Sequence, residues 1–131
     1  MNVISVDIGF VSATDALVDF YRDVLGLEVL EPRSFPDGTV HRLALGAGAL
    51  KVMVPAQTPA DSPRTERFWD RAGMRYVTMW LDDLDAIVDR WTAHGGTVAL
   101  GPLTIREGVR TALLVDLDGN TVEAMHDAAK V

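Results

Sequence analysis

A chain of 131 residues has room for one core and too little for two independent ones. It contains no cysteine, which excludes disulfide scaffolds, thiolate catalysis and Cys-based metal sites and fits a reducing cytoplasm. Its 19 acidic and 12 basic residues leave a net charge of -7, a surface that repels nucleic-acid phosphates. No apolar run approaches the ~20 residues of a membrane helix, and the N-terminus lacks the pattern of a secretory signal. The expectation is a cytoplasmic protein that binds neither nucleic acid nor membrane.

Along the chain, a short apolar strand is expected over Val3–Val11, in which Ile4, Val6, Ile8 and Phe10 alternate toward one side. A helix follows, with Leu17, Phe20, Tyr21, Val24 and Leu25 on one stripe, Thr14 as N-cap and Gly26 as the left-handed stop. Strands are then expected at Leu27–Leu30, Val40–Leu45 and Leu50–Val54. Residues 55–72, rich at first in Pro, Ser and Thr, read as a linker whose end, from Arg64 to Ala72, forms a helical turn or two. A strand at Arg75–Leu81 leads to a second helix, with Leu84, Ile87, Val88 and Trp91 on its stripe. Asp82 or Asp83 caps that helix and Gly95 ends it. Strands at Thr97–Leu100, Arg110–Val115 and Thr121–Met125 complete the chain, the last two joined by Asp116-Leu117-Asp118-Gly119-Asn120, whose Asp-Gly and Gly-Asn steps suit a tight turn.

The two halves repeat one another. Asp15-Ala16-Leu17-Val18-Asp19 falls on Asp85-Ala86-Ile87-Val88-Asp89 when the chain is slid by 70 positions, and the same order of elements surrounds each block. The fold class is therefore α+β: two tandem βαβββ modules, residues 1–54 and 73–131, in one domain, forming a curved mixed sheet that encloses a pocket.

Three stretches carry a family resemblance: Phe20-Tyr21-Arg22-Asp23-Val24-Leu25-Gly26-Leu27, Leu81-Asp82-Asp83-Leu84-Asp85-Ala86, and Asp116-Leu117-Asp118-Gly119-Asn120-Thr121-Val122-Glu123. Together they resemble the vicinal oxygen chelate superfamily of glyoxalases, extradiol dioxygenases, fosfomycin-resistance enzymes and bleomycin-binding proteins. The resemblance implies a homodimer, sometimes formed by exchanging halves. It also implies a divalent metal held by two side chains from each module, on the first and last strands. Those positions fall here at Val6 or Asp7, Lys51, Tyr76 and Glu123, and strand alternation favours Asp7 over Val6.

This set departs from the metalloenzyme pattern, since lysine and tyrosine are poor ligands and no histidine is among them. An ammonium about 4 Å from a divalent ion is repelled by on the order of 8 kcal/mol at an effective dielectric near 20. No metal or other cofactor is therefore expected, a recruited divalent metal being the alternative. Lys51 is expected to fill the site as an internal cation between Asp7 and Glu123. That cluster either serves only to neutralise a buried lysine or presents Lys51 and Tyr76 as donors to a ligand oxygen, with Glu123 or Asp7 as base. Thr78, Trp80, Met53 and Met125 share strand parity with these residues and would wall the pocket, suiting a flat or hydrophobic small molecule. His41 is a further candidate ligand-binding residue. His94 suits the C-terminal end of the second helix, and His126 falls beyond the last strand.

Three readings follow: a metal-independent small-molecule binding or sequestering protein; a glyoxalase-like lyase, isomerase or dioxygenase working by acid–base chemistry at Lys51, Tyr76 and Glu123 or through a recruited metal; and a module with a vestigial pocket.

Overall fold

The computed structural model describes residues 1–130. Its elements are β1 (Ile8–Val11), α1 (Ala16–Leu25), β2 (Val29–Phe35), β3 (Gly38–Leu45) and β4 (Gly48–Pro55), then a 3-10 turn at Phe68–Asp70. There follow β5 (Tyr76–Trp80), α2 (Leu84–Ala93), β6 (Thr97–Arg106), β7 (Val109–Val115), β8 (Thr121–Asp127) and a last 3-10 turn at Ala128–Lys130. The chain forms two compact units, Met1–Ser62 and Pro63–Val131. Each builds its own four-stranded sheet, in the orders β1-β4-β3-β2 and β5-β8-β7-β6. In both, the first strand runs parallel to the last and the other neighbours run antiparallel. The duplication seen in the sequence is thus a duplication of topology, two βαβββ modules of an α+β fold.

Each module buries one sheet face under its own helix. In the first, α1 contributes Leu17, Phe20, Tyr21 and Val24 against Leu43, Leu50 and Val52, all buried, and the Tyr21 ring stacks on Phe10. In the second, Leu84, Ile87 and Trp91 meet Ala112, Leu114, Val122 and Ala124. A helical stripe facing alternate residues of a sheet is the packing that periods of 3.6 and 2 dictate.

The helix ends hold one correction. The N-cap of α1 is Asp15, whose side chain makes no capping bond; Thr14, expected there, lies one residue earlier, and its hydroxyl accepts only from Ala16 N at 3.3 Å. Gly26 ends α1 at a φ of 67°. In α2, Asp83 accepts from Ala86 N. His94 is the C-cap and its ring bonds the Arg90 carbonyl at 2.8 Å.

All the strands differ from their expected bounds by at least a residue, and four of the differences bear on the site or on strand pairing. β1 starts at Ile8, not Val3, and Ile4 and Val6 are 93% and 69% exposed rather than packed. The reason is register: β1 pairs with β4 from Ile8 opposite Leu50, and β4 itself begins only at Gly48. β2 runs on to Phe35 and β6 to Arg106. Pro32 and Gly101-Pro102 look like strand ends in the sequence, but both lie on edge strands with shifts of register around them, where a missing N–H costs no ladder bond. β8 extends to Asp127 and takes in His126, which bonds the Leu81 carbonyl at 2.9 Å. In the linker only Phe68–Asp70 turns helically, closed by the Asp70 carboxylate on Arg67 N.

Candidate functional site

The face of each sheet turned away from its helix gathers most of the candidate residues. In the first unit Lys51 lies on the central strand β4, with Gly9 of β1 on one side and Arg42 of β3 on the other. Parity places Asp7 on the same face as Gly9, and its carboxylate reaches both Lys51 Nζ at 3.1 Å and the amide of Ala49 at 2.9 Å. Gly48 makes this approach possible, because a Cβ there would collide with the Val6 carbonyl. Met53 lies two residues along from Lys51, half-buried beside Val11 and Val40.

The Lys51–Asp7 pair is not the internal cation site expected from the sequence. Both side chains are 40% exposed, because Asp7 precedes β1 and bridges to β4 from outside the ladder. The hydrogen bond from Lys51, followed by that from Ala49 N, holds the Asp7 carboxyl below its ordinary value of 3.8. A carboxyl depressed in this way stabilises the fold above its unfolded-state pKa, and that contribution is lost as pH falls through the folded value, below 3.8. Lys51→Met is expected to move the Asp7 titration up toward 3.8 without restoring it fully, since Ala49 N still donates. Carbon NMR of the side-chain carboxyl checks this, and an unchanged titration would show that Lys51 is not its main partner.

In the second unit Tyr76, Thr78 and Trp80 project from β5 on one face, opposite Thr121, Glu123 and Met125 of β8. Thr78 Oγ1 donates to Glu123 Oε1 at 2.8 Å. Tyr76 packs its ring against Phe68, centroids 4.9 Å apart, and Phe68 in turn meets Trp69 edge-on. Met125 is buried beside Trp80, and Lys130 Nζ stands 4.5 Å above the Trp80 ring.

His41 is placed elsewhere. It shares its face with Leu43 and Val52, the helix side of the first sheet and the opposite side from Lys51. There it lines a shallow depression of about 440 Å³ with Asp15, Phe35 and Thr39 among others. The sequence window around His41 is too short to assign its face, whereas the pairing with Val52 does so.

Two residues escape the sequence reading. Lys130 follows the last expected strand, so nothing in its neighbourhood points to Trp80. Thr111, opposite Met125 on β7, carries a buried hydroxyl without a hydrogen-bond partner among the described residues, a group able to meet a bound molecule. Among the described residues no three or more His, Asp or Glu side chains converge as a metal cluster.

With this architecture in view, comparison with known proteins defines the class. The model of the Glyoxalase/Bleomycin resistance protein/Dioxygenase superfamily matches residues 8–124. The chain belongs to that superfamily, the vicinal oxygen chelate proteins. Among solved structures it is similar to a glyoxalase family protein from Bacillus cereus (14% identity, TM-score 0.81, covering 97% of this chain and 96% of that one). It is similar as well to the trypanothione-dependent glyoxalase I of Leishmania major (16%, 0.76, 99% and 90%). The fosfomycin resistance protein FosX of Listeria monocytogenes is a third (14%, 0.72, 98% and 92%). At such identities these likenesses are of fold alone. No curated protein matches the sequence.

Proposed function

We propose that the protein is a metal-independent small-molecule binding or sequestering member of the superfamily, using the helix-free faces of its sheets. The observation that carries this reading is the ion pair of Lys51 with Asp7. Where the family resemblance calls for metal ligands, the first unit offers an ammonium, which cannot coordinate, and a carboxylate already neutralised by it. The second unit offers one carboxylate, Glu123, and a phenol, Tyr76, itself a poor metal ligand. Neither unit's set of side chains fits a divalent ion. On the first sheet Met53 offers apolar surface; on the second, Trp80 and Met125 supply apolar surface for a flat or hydrophobic ligand, and Thr78, Glu123 and Tyr76 supply polar contacts that orient it. Cytoplasmic residence and a homodimer accompany the reading.

Elemental mass spectrometry of untagged protein purified without chelators tests it. The expected result is no stoichiometric zinc, iron, nickel or manganese, and a near-stoichiometric ion overturns the metal-free reading. One observation favours a second reading, a glyoxalase-like enzyme: Glu123 Oε2 has no partner among the described residues, which suits a general base. Turnover of a carbonyl or epoxide substrate that is lost in Glu123→Gln would move that reading ahead.

A further inference from the structure

We infer that the indole face of Trp80 is a receptor for a planar organic cation, and that Lys130 occupies this place in the free protein. The inference rests on the reading of the helix-free face of the second sheet as the ligand-facing one. Trp80 remains 49% exposed although Lys130 Nζ lies over its ring at 4.5 Å. Among the described residues Lys130 makes no ion pair, and the aromatic face is the partner its ammonium has there. Trp offers the strongest such face among the side chains.

The surroundings favour positive charge. Trp80 stands opposite Met125 in the parallel pairing of β5 with β8. Glu123 and Asp127 flank Met125 at two residues on either side, hence on the same face of β8 as Trp80's partner. Glu123 Oε1 is engaged by Thr78 and Asp127 Oδ1 by the amide of Ala129, and each carboxylate has a second oxygen turned to no hydrogen-bonding partner in the described chain. An aromatic surface bracketed by two carboxylates attracts cations and repels anions. The ammonium of Lys130 satisfies this field in the free state. A planar cation, such as an N-alkylated heteroaromatic, satisfies it better, because it adds stacking area over the indole and leaves the flexible lysine side chain free.

Lys130 is accordingly a competitor of the ligand and not one of its contacts. The test is titration of N-methylquinolinium into the full chain by isothermal calorimetry, with the indole Nε1–H signal of Trp80 in proton–nitrogen NMR spectra, assigned with Trp80→Leu, locating the site in the wild type and in Lys130→Ala. Binding is expected for the wild type, roughly two- to five-fold tighter for Lys130→Ala, in line with the strength of an exposed cation–π contact. It should be lost in Trp80→Leu, and quinoline-2-carboxylate should not bind. Equal or weaker binding by Lys130→Ala, or preferential binding of the carboxylate, overturns the inference. Both residues are at the surface, and retention of the wild-type unfolding midpoint shows that the variants are folded. The outcome is separable from the metal measurement: a bound metal would defeat the metal-free reading and leave the Lys130 ratio standing, whereas a metal-free protein with an unchanged ratio would defeat only this inference.

Discussion

Trp91→Ala is expected to lower the stability of the second unit by about 3–5 kcal/mol, the range for removing a large aromatic side chain from a core. Trp91 is completely buried, and its indole N–H donates to the Val115 carbonyl at 2.9 Å, tying α2 to β7. The ring also lies so close over Gly96 that a Cβ there would collide with it, so the turn after α2 is shaped around the indole. Truncation leaves a cavity and removes that hydrogen bond. For a chain of this size the unfolding midpoint should fall by roughly 10–20 °C, measured by calorimetry or circular dichroism. Trp91→Phe, which keeps most of the volume and loses the hydrogen bond, should cost about 1 kcal/mol. A loss for Trp91→Ala no larger than that for Trp91→Phe would show that the ring is not the keystone described.

Asp116→Ala is expected to cost about 2–6 kcal/mol, from the orphaning of two amides at about 1–3 kcal/mol each. The Asp116 carboxylate is buried and accepts from the amides of Asp118 and Asn120 and from the Asn120 side chain. One carboxylate thereby fixes the whole turn between β7 and β8, with Gly119 at a φ of 88° completing it. Because β8 starts directly after this turn and carries Glu123, the variant should disturb the Thr78–Glu123 contact as well as stability. Denaturant unfolding gives the energy, and the amide signals of residues 118 and 120 report the local loss. Unperturbed amides would remove the basis of the prediction. Asp116→Asn retains an acceptor and should lose less.

These two sites differ in how they can be read. The role of Trp91 follows from helical spacing, since Leu84, Ile87 and Trp91 form one stripe and a stripe must be buried. The Asp116 turn carries its own chemistry in sequence, the Asp-Gly and Gly-Asn steps being local signals. The closeness of Asp7 to Lys51 is partly legible: alternation assigns Asp7 to the face away from the helix, but not that its carboxylate bonds Ala49 N from outside β1. The place of His41 is not legible, because one residue of register exchanges the two faces of a strand. Nor is the contact of Lys130 with Trp80, which depends on how the chain turns after β8.

The sequence by itself determined the duplication, the two helices with their buried stripes, the tight turn at 116–120 and the βαβββ order, because each depends on residues within a few positions of one another. Only the tertiary structure decided where β1 begins, that Pro32 and Pro102 sit within edge strands, that the Asp7–Lys51 pair is half-exposed, and which groups surround Trp80. Those features are set by pairing partners 40 or more residues apart or by the edges of a sheet, and no local period in the chain encodes them.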